Sequence, residues 1–171
     1  MVCVYTSITI QGHCMKSILL LLLVPFFMTQ TATVEVLKWP ALEKHMTEKN
    51  GKIKIINFWA TNCKPCVEEL PHFEQLHRSF GNQVEVILVS VDEASTAETK
   101  VNPVLERSRI TAKVLLLDEV DANSWINKVD PTWSGAIPAT VVIDQNNNRQ
   151  LFEKPLSYQE LVKIIHDIHK P

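Results

Sequence analysis

The spacing of apolar and polar residues changes several times along the chain, and each change marks an element. Lys52 to Ala60 opens as Lys-Ile-Lys-Ile-Ile-Asn and continues apolar, which predicts a buried central strand. From Lys64 the period lengthens. Val67, Leu70, Phe73, Leu76 and Phe80 lie three to four apart, which is helical spacing, and Gly81-Asn82 ends the run. Pro71 inside this helix removes one backbone N–H and predicts a kink. Val84 to Val91 reads as the next buried strand. Thr96–Asn102 and Pro103–Arg109 read as two helical pieces, with Ala97, Val101, Val104 and Leu105 on one face, Asn102 as a cap and Pro103 as a start.

Lys113 to Asp118 is a further strand, Ala122 to Val129 a short helix, and Asp130 to Ile137 a loop rich in turn formers. Ala139–Asp144 and Arg149–Glu153 form a hairpin across a turn at Gln145–Asn148. Ser157 to His169 is a last helix, opened by a Ser157/Glu160 capping box, with Leu161, Ile164, Ile165 and Ile168 as its buried stripe. Ahead of the central strand lie a short edge strand, Val34 to Leu37, and a helix, Pro40 to Lys49, closed by Asn50-Gly51. Strands alternating with helices and ending in a hairpin and a helix predict an α/β fold, with helices around one mixed sheet.

Cys63 and Cys66 stand where the central strand hands over to the long helix. A helix N-terminus offers unpaired N–H groups and about half a positive charge, so a thiolate is stabilised there, and the thiolate is the reactive species. Cys63, at the helix start, is the expected nucleophile and the exposed member of the pair. Lys64 adds a nearby positive charge. Cys66, one turn along, is the expected resolving thiol, which attacks a mixed disulfide and releases the reduced substrate. Zinc chemistry would need about four ligands; there is no second Cys pair, and His45, His72, His77, His166 and His169 show no ligand grouping, so no metal is expected.

The 171 residues suffice for one domain with a core, and the net charge of −2 is spread along the chain. With no basic block and no aromatic-basic interleaving, nothing points to nucleic acid. Near the N-terminus, Met15-Lys16 precedes the apolar run Ile18 to Met28, and small and polar residues follow to Thr33. This reads as a cleaved signal peptide rather than an anchor, because the run is shorter than the roughly 20 residues of a spanning helix. Translation is expected to start at Met15. Cys3 and Cys14 leave with the presequence, and Cys63 and Cys66 remain as the only pair. Cysteines so close together staple almost no chain, so redox chemistry rather than scaffolding is expected.

The stretch Trp59-Ala60-Thr61-Asn62-Cys63-Lys64-Pro65-Cys66, followed by Glu69-Leu70-Pro71 and a distant Ile137-Pro138-Ala139-Thr140, resembles the extracytoplasmic thioredoxin-like reductases of the TlpA/ResA type. The resemblance spans about residues 34–169. It implies a thioredoxin-like domain over 33–171 after a presequence over 1–32, with residues 94–118 as the helix-strand insertion of that type. It implies that Glu69 takes part in proton transfer near the cysteines. Asn57 stands where many thioredoxins have a buried aspartate, and an amide cannot titrate, so Glu69 is the nearest carboxylate in sequence. The resemblance also implies a cis peptide at Ile137-Pro138, in a loop that faces the cysteines and holds the substrate backbone, with Trp59, Lys64 and Pro65 flanking the substrate. Trp133 is expected in the core rather than in the peptide groove. Asn62 departs from the Trp common before the first cysteine.

The implied function is thiol-disulfide exchange outside the cytoplasm, in the periplasm or an equivalent space. It acts in the reducing direction on protein disulfides, apocytochrome c among them, without a cofactor and with electrons from a membrane-embedded thiol carrier. Alternatives are an oxidase or isomerase on the same residues, a redox-inert or metal-handling binding module, and a peroxidase on the same fold. The peroxidases resemble Pro-x-x-x-Thr-x-x-Cys around their nucleophile; here Thr61 sits two residues before Cys63 and the proline is absent.

Overall fold

The computed structural model describes residues 34–168. The expected presequence, with Cys3, Cys14 and Met15, and the chain end from His169 lie outside the described residues. Six strands form one mixed sheet: β1 (Glu35–Leu37), β2 (Ile53–Trp59), β3 (Val84–Ser90), β4 (Lys113–Leu117), β5 (Ala139–Ile143) and β6 (Arg149–Phe152). Their order across the sheet is β1-β4-β3-β2-β5-β6. The pairs β1/β4, β4/β3 and β3/β2 are parallel, while β2/β5 and β5/β6 are antiparallel. The helices are α1 (Trp39–Thr47), α2 (Lys64–Phe80), α3 (Asn102–Arg107), α4 (Ile126–Val129) and α5 (Tyr158–Ile168).

All of β2 is buried because it lies inside the sheet with helices on both faces. Its side chains alternate between two cores. Ile53, Ile55 and Trp59 join Leu70, Phe73 and Leu76 of α2, Val104 and Leu105 of α3, and Leu161 and Ile165 of α5. Ile56 and Phe58 join Leu42 and Met46 of α1 and the Trp125 and Trp133 rings on the other face. Period-two alternation therefore directs Asn57, between Ile55 and Trp59, toward α2. The antiparallel register places Thr140 of β5 directly beside it.

The insertion is present as expected. It supplies α3 and β4, and β4 wedges between β3 and β1, widening the sheet on the parallel side. One expectation within it fails. Asn102 does not cap a second helix: a π-helical turn, Ala97–Val101, runs straight into α3, and Asn102 has helical dihedrals (φ −54, ψ −45). Pro103 offers no N–H to the carbonyl four residues back, and the chain widens just before it. The Asn102 side chain instead donates to Glu98 Oε2 at 3.0 Å. The predicted Ala122–Val129 helix is also divided, into a 3-10 turn at Ala122–Ser124 and α4.

At the start of α5 the capping box forms. Glu160 Oε2 accepts from the Ser157 N–H and hydroxyl, both at 2.8 Å, and the Glu160 N–H donates back to Ser157 Oγ at 3.3 Å. Gly51 closes the turn after α1 at φ +77, a conformation that favours glycine.

Candidate active site

β2 ends at Trp59, and Ala60–Asn62 turns the chain into α2. Cys63 is the N-cap residue: its N–H donates to the Ala60 carbonyl at 3.1 Å, and its own carbonyl accepts from Val67 N–H at the same distance. The sulfur therefore sits at the positive end of a 17-residue helix. Cys63 is half-exposed and Cys66 is fully buried, the asymmetry an attacking and a resolving thiol require. In this structure the two are joined as a disulfide with Cα atoms 5.3 Å apart.

The Ile137–Pro138 peptide is cis. It brings the Ile137 carbonyl oxygen to 3.8 Å from Cys63 Sγ, so the loop before β5 faces the exposed sulfur. Trp133 holds the base of that loop. Its ring packs on Phe58 and Trp125, with centroids 4.7 and 5.5 Å away, and its Nε1–H donates to the Ala136 carbonyl at 2.9 Å. It is a core residue, as expected.

Glu69 is not a solvated helix glutamate like Glu68. It is 2 % exposed, on the inner face of α2. Asn57 Nδ2–H donates to its Oε1 at 2.8 Å and the Leu156 N–H to its Oε2 at 2.7 Å. Asn57 Nδ2–H also donates to Thr140 Oγ1 at 3.1 Å, while Asn57 Oδ1 is buried without a hydrogen-bond partner. Burial raises the Glu69 carboxyl from its ordinary 4.5 to about 7, against the opposing pull of the Leu156 N–H and the Asn57 amide. The group thus changes protonation near neutral pH, one turn beyond Cys66. It borders a surface cleft shared with Pro65, His72 and Leu156, which connects its surroundings to solvent.

Trp59 was expected to flank the substrate, but its ring is wholly buried in the core on the α2 side. The alternation of β2 turns it inward, so it supports the active-site turn from beneath and offers no face to a substrate. Lys64 and Pro65 are exposed beside the disulfide, and Lys64 leans toward Glu68 at 3.7 Å.

Sequence reasoning missed Asp92. It lies just past β3, and its carboxylate accepts from Thr61 N–H at 2.9 Å, Thr61 Oγ1–H at 2.6 Å and Ser90 Oγ–H at 2.8 Å, tying the active-site turn to the neighbouring strand. Its only signal was an acid directly after a buried strand. Glu74 was missed as well and is buried in the same helix, where it accepts from Thr111 and Ala112. Among the described residues no three His, Cys, Asp or Glu side chains are grouped to hold a metal ion.

A family model, that of the AhpC/TSA family, matches residues 29–149. The chain belongs to this family. It is similar to relatives named as a thioredoxin-like protein and as thiol-disulfide oxidoreductases. The thioredoxin-like protein YneN of Bacillus subtilis is 28% identical over 100 residues, covering 58% of this chain and 55% of that protein. The thiol-disulfide oxidoreductase ResA of Geobacillus kaustophilus is 27% identical over 128 residues, covering 74% of this chain and 68% of that one. For YneN and for the ResA of Halalkalibacterium halodurans, the match spans about half the relative's length, 55% and 53%.

The fold of this AhpC/TSA chain is the thioredoxin-like one of several solved structures. A thioredoxin-related protein from Neisseria meningitidis serogroup B superposes with a TM-score of 0.61 at 19% identity, covering 70% of this chain and 87% of that one. StoA from Bacillus subtilis gives 0.54 at 19% identity, covering 69% and 84%.

Proposed function

We propose that the protein is an exported thiol-disulfide oxidoreductase that reduces disulfides in extracytoplasmic protein substrates, with a cytochrome c maturation role within its reach. The observation that carries the reading is the Cys63–Cys66 pair at the start of α2, exposed on one sulfur only, opposite the Ile137-Pro138 loop and one turn from the buried Glu69. Relatives named for this chemistry support it. Among the described residues no helix is long and apolar enough to cross a membrane.

In the reduced protein the Cys63 thiolate attacks one sulfur of a substrate disulfide. A Cys63–substrate disulfide forms, and the other substrate sulfur leaves as a thiolate that takes up a proton. Cys66 then gives its proton to Glu69 and attacks Cys63 Sγ. The Cys63–Cys66 disulfide closes and the second substrate sulfur leaves reduced. Two electrons have passed to the substrate, and a membrane-embedded dithiol carrier restores them. Glu69 suits the proton step because a base works best with a pKa near the working pH. The Ile137 carbonyl and the edge of the cis-proline loop hold the substrate backbone as an added strand, and Lys64 and Pro65 line its path.

A peroxide-reducing role is disfavoured by the turn itself. Thr61 stands two residues before Cys63 rather than three, the motif's proline is absent, and the Thr61 hydroxyl donates to Asp92 Oδ1 at 2.6 Å. Trapping tests the reading: Cys66→Ser is expected to accumulate mixed disulfides with exported proteins through Cys63, and Cys63→Ser none. Trapping in the opposite sense would reverse the two roles, and no trapping by either variant would remove the exchange function.

A further inference from the structure

His72 has no part in the exchange described above, yet it holds the group that holds Glu69. It lies three residues after Glu69 on α2, so the two share a helix face. The Leu156 N–H donates to Glu69 Oε2 at 2.7 Å, and the Leu156 carbonyl meets His72 Nδ1 at 3.1 Å. One helix face thus grips Leu156 on both sides of its Cα. That carbonyl accepts, so Nδ1 carries the proton in this contact. The residue so gripped has little freedom elsewhere. Its side chain is buried in the core, Pro155 precedes it, and Ser157 after it belongs to the α5 capping box.

We propose that His72 is a positioning residue for the active-site carboxyl group: by fixing the Leu156 carbonyl it keeps the Leu156 N–H aimed at Glu69 Oε2. Its importance for thiol exchange rests on the function proposed above; its effect on Glu69 does not. The physical reason is the sensitivity of a buried carboxylate to its donors. With burial pushing the proton affinity up, the Leu156 N–H is the largest opposing influence, ahead of Asn57. A loop free to drift by a few tenths of an ångström weakens that bond without taking the Leu156 side chain out of the core.

The surroundings contain few competing charges. Around the cleft stand Glu68 and His72 on α2, Lys154 on the loop and Glu160 at the start of α5; Lys154 and Glu160 neutralise each other at 2.7 Å. From the sheet the uncharged Asn57 amide donates to Glu69 Oε1, and Thr140 accepts from that same amide.

The test is titration of the Glu69 carboxyl carbon by NMR in the oxidised full chain, which requires no exchange activity. The wild-type midpoint is expected near 7. His72→Ala should raise it by roughly half to one pH unit, the size of a partly lost hydrogen bond to a charged group. His72→Gln, which can still donate to the Leu156 carbonyl but carries no charge, should restore it. An unchanged or lowered midpoint in His72→Ala overturns the proposal. So does a glutamine variant that behaves like alanine, since that outcome assigns the effect to imidazole charge. If His72→Ala fails to fold, the glutamine variant decides alone, and a midpoint displaced from wild type overturns the proposal. Insulin reduction with dithiothreitol, run on the same samples, reports on the exchange function separately.

Discussion

Glu69 and Glu74 lie five residues apart on α2, both carboxyl groups are buried, and they behave in opposite ways. Glu69 receives two neutral donors, and burial holds its proton affinity up at about 7. Glu74 receives four: Thr111 N–H at 2.7 Å, Thr111 Oγ1–H at 2.5 Å, Ala112 N–H at 3.0 Å and Arg78 Nε–H at 2.6 Å. Burial pushes Glu74 upward too, but the Thr111 hydroxyl and N–H, Arg78 and the Ala112 N–H together bring it below the usual carboxylate range. Burial alone therefore does not decide what a buried acid does; the number and charge of its donors do. The well-supplied acid is a fastening between α2 and the chain entering β4. The under-supplied one, one turn beyond Cys66, has its proton affinity raised toward neutral pH.

The largest expected effect comes from unmaking the fastening. Glu74→Ala removes the shared acceptor of the buried Ala112 N–H and of the more exposed Thr111 N–H and hydroxyl, and should cost about 3–4 kcal/mol in urea unfolding. The alkylation profile of Cys63 in the folded fraction should stay where it was. A displaced profile would mean that the two carboxyl groups are coupled and the comparison is too simple.

Next is the pH dependence of Glu69. Its folded pKa is raised, so the stability it permits is complete below the ordinary 4.5 and is lost as pH rises through about 7, by about 3 kcal/mol in all. Glu69→Gln should flatten that decline, measured as urea midpoints across this window, and should slow closure of the mixed disulfide by about 100-fold. A decline that persists in the variant assigns it to another group. Glu74 has the reverse sign: its contribution is present above the ordinary carboxylate pKa and is lost as pH falls through its lowered one.

Asp92 is the intermediate case, a half-buried acid with two donors from Thr61 of the active-site turn and one from Ser90 of β3. Asp92→Ala should cost about 1–2 kcal/mol and speed amide exchange at Thr61, with little change at Thr111. Equal acceleration at both sites would argue against separate fastenings. The smallest effect is expected for Arg78→Ala. That guanidinium is 59% exposed, and Glu74 keeps its other three donors, so the loss should stay below about 1 kcal/mol and shrink in high salt. A larger loss would place the cation, rather than the loop N–H groups, at the centre of the Glu74 site.

Much of this molecule is legible along the chain because it is governed by neighbours in sequence. The strand-to-helix handover at Cys63, the Ser157/Glu160 box and the β5–β6 hairpin follow from periodicity and local hydrogen bonding within a few residues. The exposure of Cys63 and burial of Cys66 follow from helix geometry once α2 is placed. The resemblance added the cis bond at Ile137-Pro138 and directed attention to Glu69.

What only the tertiary structure decided lies between distant segments. Glu69 meets Leu156 across 87 residues, and Asn57 meets Thr140 across 83. Glu74 meets Thr111 across 37 and Thr61 meets Asp92 across 31. A glutamate looks the same in sequence whether it faces water, two neutral donors or four donors with a cation, because its proton affinity depends on solvent exclusion and on partners that only the packed fold assembles. The same limit applies to Trp59, whose position beside the active-site turn suggested a surface role until the alternation of β2, anchored by its sheet neighbours, turned the ring into the core.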